Sequence, residues 1–260
     1  TKEKQGLWTD YFQGIAQVMQ AAGLEYSHGL DVYISGNLPD GAGLSSSASL
    51  EMLVATILNE LFAGNFAPIE LVKFGVKVEN DYIGVKSGIM DQFAIEMGKE
   101  NQAMLLDTNT MKYEYLPVEM GDNVIVIMNT NKRRELVDSK YNERRSECEE
   151  ALARLQKDLS ISSLGDLTED EFDENTYLIY DPTLIKRARH AVFENVRTLN
   201  AAKALQAGSL KEFGKLISAS GVSLAYDYEV TGKELDTLVT AALKQEGVLG
   251  ARMTGAGFGG

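Results

Sequence analysis

Apolar positions recur at the helical period along much of the chain. Leu7, Trp8, Tyr11, Phe12, Ile15, Val18 and Met19 form one stripe, stopped by Gly23, and predict a helix over residues 7–22. Leu50, Leu53, Val54, Ile57, Leu58, Leu61 and Phe62 form a second stripe, on a helix expected to begin near Ser45 to Ser47. A third helix is expected from Pro68, a residue suited to a first helical turn, to Tyr82. Its stripe is Val72, Val76, Glu79 and Ile83. Gly84 ends that helix, a loop with Ser87 and Gly88 follows, and a further helix buries Met90, Phe93, Ala94 and Met97. A long helix is expected over 138–159, with Tyr141, Arg145, Cys148, Leu152 and Leu155 on one face, then others over 183–207, 209–222 and 232–246.

Between these lie shorter, strand-like patterns. Residues 30–37 alternate as a strand does. Residues 103–106 and 113–116 are two short strands joined by the polar run Asp107-Thr108-Asn109-Thr110. Val124-Ile125-Val126-Ile127-Met128 is a continuous apolar run, the pattern of a buried strand. Residues 248–253 read as a last strand leading into a glycine-rich run. Residues 160–182 are acidic and weakly patterned and read as a surface excursion. The mixture is α+β, with no internal repeat and no low-complexity segment.

The chain is organised around Pro39-Asp40-Gly41-Ala42-Gly43-Leu44-Ser45-Ser46-Ser47-Ala48, a glycine and serine run between a predicted strand and a helix. No acid sits in the first turn of that helix; the first carboxylate, Glu51, comes one turn in. Its leading N–H groups and positive dipole end are therefore not neutralised by the chain itself. Gly41 and Gly43 let backbone approach a ligand, and three hydroxyls add donors. These are the ingredients of an anion site, most naturally for phosphate. The alternative is an ordinary serine cap after a turn.

Two acids extend this picture. Glu79 falls on an apolar stripe, where a carboxylate is costly unless it is paired or binds a cation. A buried ion pair, or a helix end already at the surface, would also account for it. Asp91 lies in the first turn of its helix, where the dipole favours the ionised form. It is either a helix-start acid or a carboxylate held at a loop mouth beside Gly88, which leaves room for a substrate. The basic trio Lys132-Arg133-Arg134 faces phosphates or forms a solvated loop.

Composition narrows the function classes. The 260 residues carry a net charge of −13, which excludes a basic nucleic-acid surface as the main feature. An acidic chain that binds an anion must do so locally, with a helix end and a divalent cation. The single cysteine, Cys148, allows no disulfide framework and fits a reducing cytoplasm, and two histidines, His28 and His190, exclude a His-rich metal site. No apolar run reaches membrane-spanning length and no signal peptide is visible. The sequence begins at Thr1 and stops at Gly260 inside a glycine run, so a fragment cut at both ends is expected.

Several separated blocks share one resemblance. The 39–48 run resembles the phosphate-binding motif of the GHMP small-molecule kinases. Gly88-Ile89-Met90-Asp91-Gln92-Phe93 and Met253-Thr254-Gly255-Ala256-Gly257-Phe258-Gly259-Gly260 are similar to galactokinase forms of that superfamily's motifs. Ser139-Lys140-Tyr141-Asn142-Glu143-Arg144-Arg145 and Arg187-Ala188-Arg189-His190-Ala191 also look galactokinase-like, of bacterial flavour, and the match covers essentially the whole chain. The resemblance implies a two-lobed α+β kinase, with a ribosomal S5 domain 2-like N-terminal lobe over 1–119 and a ferredoxin-like C-terminal lobe over 120–260, each truncated. It implies ATP as cosubstrate, Mg²⁺ as cofactor, and transfer of the γ-phosphoryl group to the anomeric hydroxyl of α-D-galactose. By position, Gly41, Ala42, Gly43, Leu44, Ser45, Ser46 and Ser47 would bind the ATP phosphates. Ser47 and Glu79 would hold the metal, Asp91 would be catalytic, and Gly88, Asp91 and Tyr141 would contact the sugar. ATP and galactose are the implied partners, with neither nucleic acid nor membrane.

Two departures and two alternatives accompany it. The family's first motif, of Gly-Arg-Val-Asn-Leu-Ile-Gly-Glu-His-Thr-Asp-Tyr type, is absent, so weak or no activity is expected of these 260 residues alone. Ser220-Gly221 stands where relatives commonly have Ser-His. A GHMP kinase for another sugar or small alcohol, and a galactokinase-like regulator without catalysis, are the competing functions.

Overall fold

A computed structural model describes residues 4–39, 42–132 and 137–259, with the side chains of 137–139 left aside. The chain divides into two compact units, Thr1–Asp40 with Leu44–Tyr115, and Gly41–Gly43 with Leu116–Gly260.

The first unit is a cluster of helices with one hairpin. Its helices are α1 (Thr9–Ala21), α2 (Ser46–Leu61), α3 (Pro68–Lys77) and α4 (Met90–Met97). They bury Ile15, Met19, Met52, Val54, Leu58, Leu71, Val72, Val78 and Phe93 in one core, the burial that offsets their ordering entropy. The periods read from sequence are right, but two stripes rotate. On α2 the buried face is Ala48, Glu51, Met52, Val54, Ala55 and Leu58, while Leu53 and Leu61 are exposed. On α4 the expected Met90 is exposed and Gln92 is buried with Phe93, because α4 presents its Gln92 side to α2. Gly14 lets α1 cross the chain after α3 closely: a Cβ there would lie 2.5 Å from Val78 Cγ1.

The helix expected to run on to Tyr82 changes form. After Lys77 the backbone widens into a π-helical turn, Val78–Ile83, with Gly84 N–H donating to Glu79 O at 2.8 Å. Gly84 closes it at φ 93°, a left-handed value that glycine tolerates. Such turns are rare and cluster at functional sites. The hairpin of β1 (Gln102–Leu106) and β2 (Tyr113–Pro117) is docked on α4: Tyr113 packs edge-on against Phe93 at 5.1 Å and Tyr115 Oη donates to Met97 O at 2.6 Å.

The second unit is built around α7 (Pro182–Gln206), packed against α5 (Val137–Leu155) and α8 (Leu210–Tyr226), with α6 (Glu169–Asn175) and α9 (Lys233–Leu243) completing it. Asp181 caps α7 by accepting from Thr183 N at 2.8 Å, with Pro182 at its first position. The excursion expected over 160–182 is instead ordered structure. Leu164, Leu167, Phe172 and Ile179 are core residues beneath α5 and α7, and Thr168 and Glu171 form a capping box at the start of α6. The helical face expected on α5 also shifts: Arg145 is exposed and pairs with Glu149, and Arg144 turns inward to Glu147 and Tyr228 O.

Three expected strands do not form. Among the described residues the only sheet is β1–β2, and 30–37, 124–128 and 248–253 have no strand partner. Val124 and Ile125 are each 79% exposed, the opposite of the burial expected for their run. A strand exists only when a neighbour accepts its ladder, and no described segment pairs with these in a sheet. Residues 249–250 do approach α8: a Cβ on Gly250 would fall 2.0 Å from Gly214 O. The Gly221 that departs from the family pattern belongs to the same contact, since a Cβ there would lie 3.2 Å from Ala251 O and from Arg252 Cβ. Among the described residues no helix is long and apolar enough to cross a membrane.

Candidate active site

The glycine and serine loop ends in a helix start with open donors. Ser45 is the N-cap residue of α2, yet its backbone is left-handed (φ 55°, ψ 47°) and its side chain makes no capping hydrogen bond. The first turn holds no acid. This is not an ordinary serine cap. The leading N–H groups and dipole end remain available to an anion, and the strained Ser45 conformation costs on the order of 1–3 kcal/mol that only function or tight surroundings justify. In the second unit, Gly43 (φ 68°) sits against the glycine-rich run near the C-terminus: a Cβ on Gly43 would lie 2.8 Å from Thr254 O. Gly41 lies outside the described residues, as do Arg133 and Arg134; Lys132 pairs with Glu234 at 3.0 Å.

Glu79 stands in the π turn and is half-buried. Ser47 Oγ donates to its Oε1 across a long 3.4 Å, and Ser87 Oγ donates to its Oε2. Among the described residues Glu79 makes no ion pair, so the buried-pair alternative does not hold. Asn80 fixes the loop that carries Ser87, its Nδ2 donating to Val76 O at 2.9 Å and to Ser87 O at 3.1 Å. Ser87 is a site residue that periodicity could not find; the signal available was a hydroxyl just past the glycine that ends the Glu79 turn.

Asp91 lies in the first turn of α4, half-buried, as expected. It and Glu79 both act on a third carboxylate, Glu51, which is fully buried on α2 one turn after Ser47. Desolvation, then repulsion from Glu79, pushes the Glu51 carboxyl up to about 8 against one opposing hydrogen bond from Gln92. The first unit therefore gathers Ser47, Glu79 and Asp91, and adds Ser87, Glu51 and Gln92, which the sequence did not single out. Gly88 is exposed, and a Cβ there would meet no atom within 4 Å. Tyr141 stands half-buried on α5 of the second unit.

The second unit has its own buried polar chain, which looks like a Ser–His–Asp set but is ordered differently. His190 Nδ1 lies 3.0 Å from Ser223 Oγ, and Ser223 Oγ donates to Asp227 Oδ2 at 2.7 Å. The serine spends its one proton on Asp227, so His190 donates from Nδ1 and cannot act as its base. Burial lowers the His190 ring to about 4, so it is neutral near neutral pH. A depressed base stabilises the fold above its unfolded value and loses that contribution as pH falls from about 6.5 towards 4. His190→Gln should therefore flatten the fall of the melting temperature across that window; parallel slopes in the two proteins would contradict this.

Comparison with known proteins bears on the whole chain. The family model for the GHMP kinases N terminal domain matches residues 10–99 and that for the GHMP kinases C terminal matches 201–260. Galactokinase of Lacticaseibacillus casei is 82% identical over 259 residues, covering 100% of this chain and 67% of that protein. Galactokinase of Lactiplantibacillus plantarum is 65% identical over 258 residues, covering 99% and 67%. The crystal structure of Lactococcus lactis galactokinase complexed with galactose matches with a TM-score of 0.96 at 58% identity, over 100% of this chain and 67% of that one.

Proposed function

The chain belongs to the galactokinase family of GHMP kinases, and from that premise we propose that it transfers the γ-phosphoryl group of ATP to the C1 hydroxyl of α-D-galactose, giving galactose 1-phosphate. The observation that carries the site assignment is the convergence of Ser47, Glu79 and Asp91 beside an uncapped, acid-free helix start. The N-terminal lobe is assigned to 1–119 and the C-terminal lobe to 120–260, and the work of the protein to the cytoplasm.

The ATP phosphates lie along Gly41–Ser47. Gly43 keeps backbone close to them, and the N–H groups of α2 with the Ser45, Ser46 and Ser47 hydroxyls supply donors without a competing acid. The fit for a magnesium ion rests on donor chemistry. Among the described residues the side-chain donors to Glu79 are hydroxyls, and Ser47 Oγ is already within 3.4 Å of it. Among the described residues no group of three or more His, Cys, Asp or Glu side chains is arranged around a metal. One carboxylate and one hydroxyl suit magnesium, which takes few protein oxygens and completes its shell with phosphate and water. Held by Ser47 and Glu79, it would offset charge on the β- and γ-oxygens.

The sugar hydroxyl oxygen attacks the γ-phosphorus, the bond to the β–γ bridging oxygen breaks, and ADP leaves with that electron pair. Asp91 accepts the hydroxyl proton or holds the hydroxyl in line for attack. Gly88 leaves room for the sugar, and Tyr141 offers it a ring and a hydroxyl. A panel of galactose, N-acetylgalactosamine, mevalonate and homoserine, scored by ADP production in the full-length protein, tests this. Galactose is expected to be the preferred acceptor. Turnover on another acceptor but not galactose would overturn the specificity. Binding of ATP and galactose without turnover would move the protein to the regulators.

A further inference from the structure

Beneath Asp91 and Glu79 lies a buried pair that phosphoryl transfer does not use directly. Glu51 on α2 and Gln92 on α4 are each 0% exposed. Gln92 Nε2 donates to Glu51 Oε2 at 2.9 Å. The other oxygens, Glu51 Oε1 and Gln92 Oε1, have no hydrogen-bond partner. Gly75 of α3 closes the third side: a Cβ there would lie 2.8 Å from Gln92 Cγ and 3.3 Å from Glu51 Oε2. Glu51 stands four residues after Ser47 on the same helix face, and Gln92 directly follows Asp91. The pair thus joins the helix that starts at the phosphate loop to the helix that carries the proton acceptor.

A carboxylate at this position would lie out of water with a single donor and one oxygen unpaired. A carboxylic acid there resolves every group. Its O–H donates to Gln92 Oε1, its carbonyl accepts from Gln92 Nε2, and both unpaired oxygens are satisfied by one proton and a small rotation. We infer that Glu51 is a neutral carboxylic acid paired with Gln92, and that this pair is a positioning device that fixes Asp91 relative to the phosphate-binding end of α2. The inference rests on Asp91 being the catalytic carboxylate.

The test uses the full-length protein and four variants. Glu51→Leu and Gln92→Leu should each lower kcat on the order of 10- to 100-fold, the effect of misplacing a reacting group, with KM for ATP and galactose moving far less. Glu51→Gln keeps a neutral side chain of the same shape and should recover most of that loss. Glu51→Gln with Gln92→Glu exchanges acid and amide, and should recover it too. The infrared carbonyl band of a protonated carboxylic acid should be present in the unaltered protein at neutral pH and absent in Glu51→Gln, and this holds whether or not the leucine variants fold. An absent band in the unaltered protein overturns the neutral acid. Unchanged kcat in a folded Glu51→Leu, or an exchanged pair no better than Gln92→Leu, overturns the positioning role. Should Asp91→Asn keep full turnover, the catalytic assignment fails on its own, while the band still reports on the pair.

Discussion

Asp91→Asn in the full-length protein should lower kcat on the order of 10²- to 10⁴-fold, the range that one positioned proton acceptor contributes, while ATP affinity stays nearly unchanged. Asparagine has almost the same shape and can still hydrogen-bond a hydroxyl, but it cannot take the proton. Asp91 is well placed for that task. It sits in the first turn of α4, half-buried rather than sealed. Its neighbour Gln92 anchors the helix to α2 through Glu51. Galactose-dependent ADP release and ATP binding by calorimetry separate the two quantities. A loss of tenfold or less would mean that Asp91 orients the hydroxyl and the proton leaves by another route. Unaltered turnover would remove it from the chemistry.

Local signals carried much of the fold. Pro68 and Gly84 mark helix ends where the structure has them, because capping is decided by residues adjacent in sequence. The hairpin strands around 103–106 and 113–116 were equally legible. What failed depended on partners distant in sequence. The run Val124–Met128 has a central strand's composition, but a strand is defined by the neighbour it pairs with, and none is among the described residues. The apolar stripe places Leu53 inside, whereas Glu51 is buried and Leu53 exposed, because α3 and α4 pack on the other side of α2, through Gly75 and Gln92. Residues 160–182 read as an excursion although they are ordered, since α6 spans only Glu169–Asn175, too short for a periodic stripe. In the site, Ser47, Glu79 and Asp91 came from spacing and resemblance. Ser87, Glu51 and Gln92 needed the π turn and the helix packing, neither of which leaves a period in the sequence.

Glu79→Gln should raise the magnesium concentration needed for half-maximal turnover on the order of 10- to 100-fold, since even residues that merely orient a metal ligand cost that much affinity when lost. The substitution keeps side-chain length and an oxygen that can accept from Ser47 and Ser87, so the loop and the π turn should hold. It removes the negative charge, and magnesium binds oxygen ligands largely by charge at short range. Excess magnesium should therefore restore part of kcat in Glu79→Gln, which would not happen if the loss came from a collapsed loop. Ser87→Ala gives the companion result. It deletes a donor to Glu79 without touching charge, and so should shift the magnesium requirement less than Glu79→Gln. Titrating magnesium at saturating ATP and galactose reads both variants. A requirement unmoved in Glu79→Gln would take Glu79 out of the metal site and leave Ser47 as the one protein ligand proposed there.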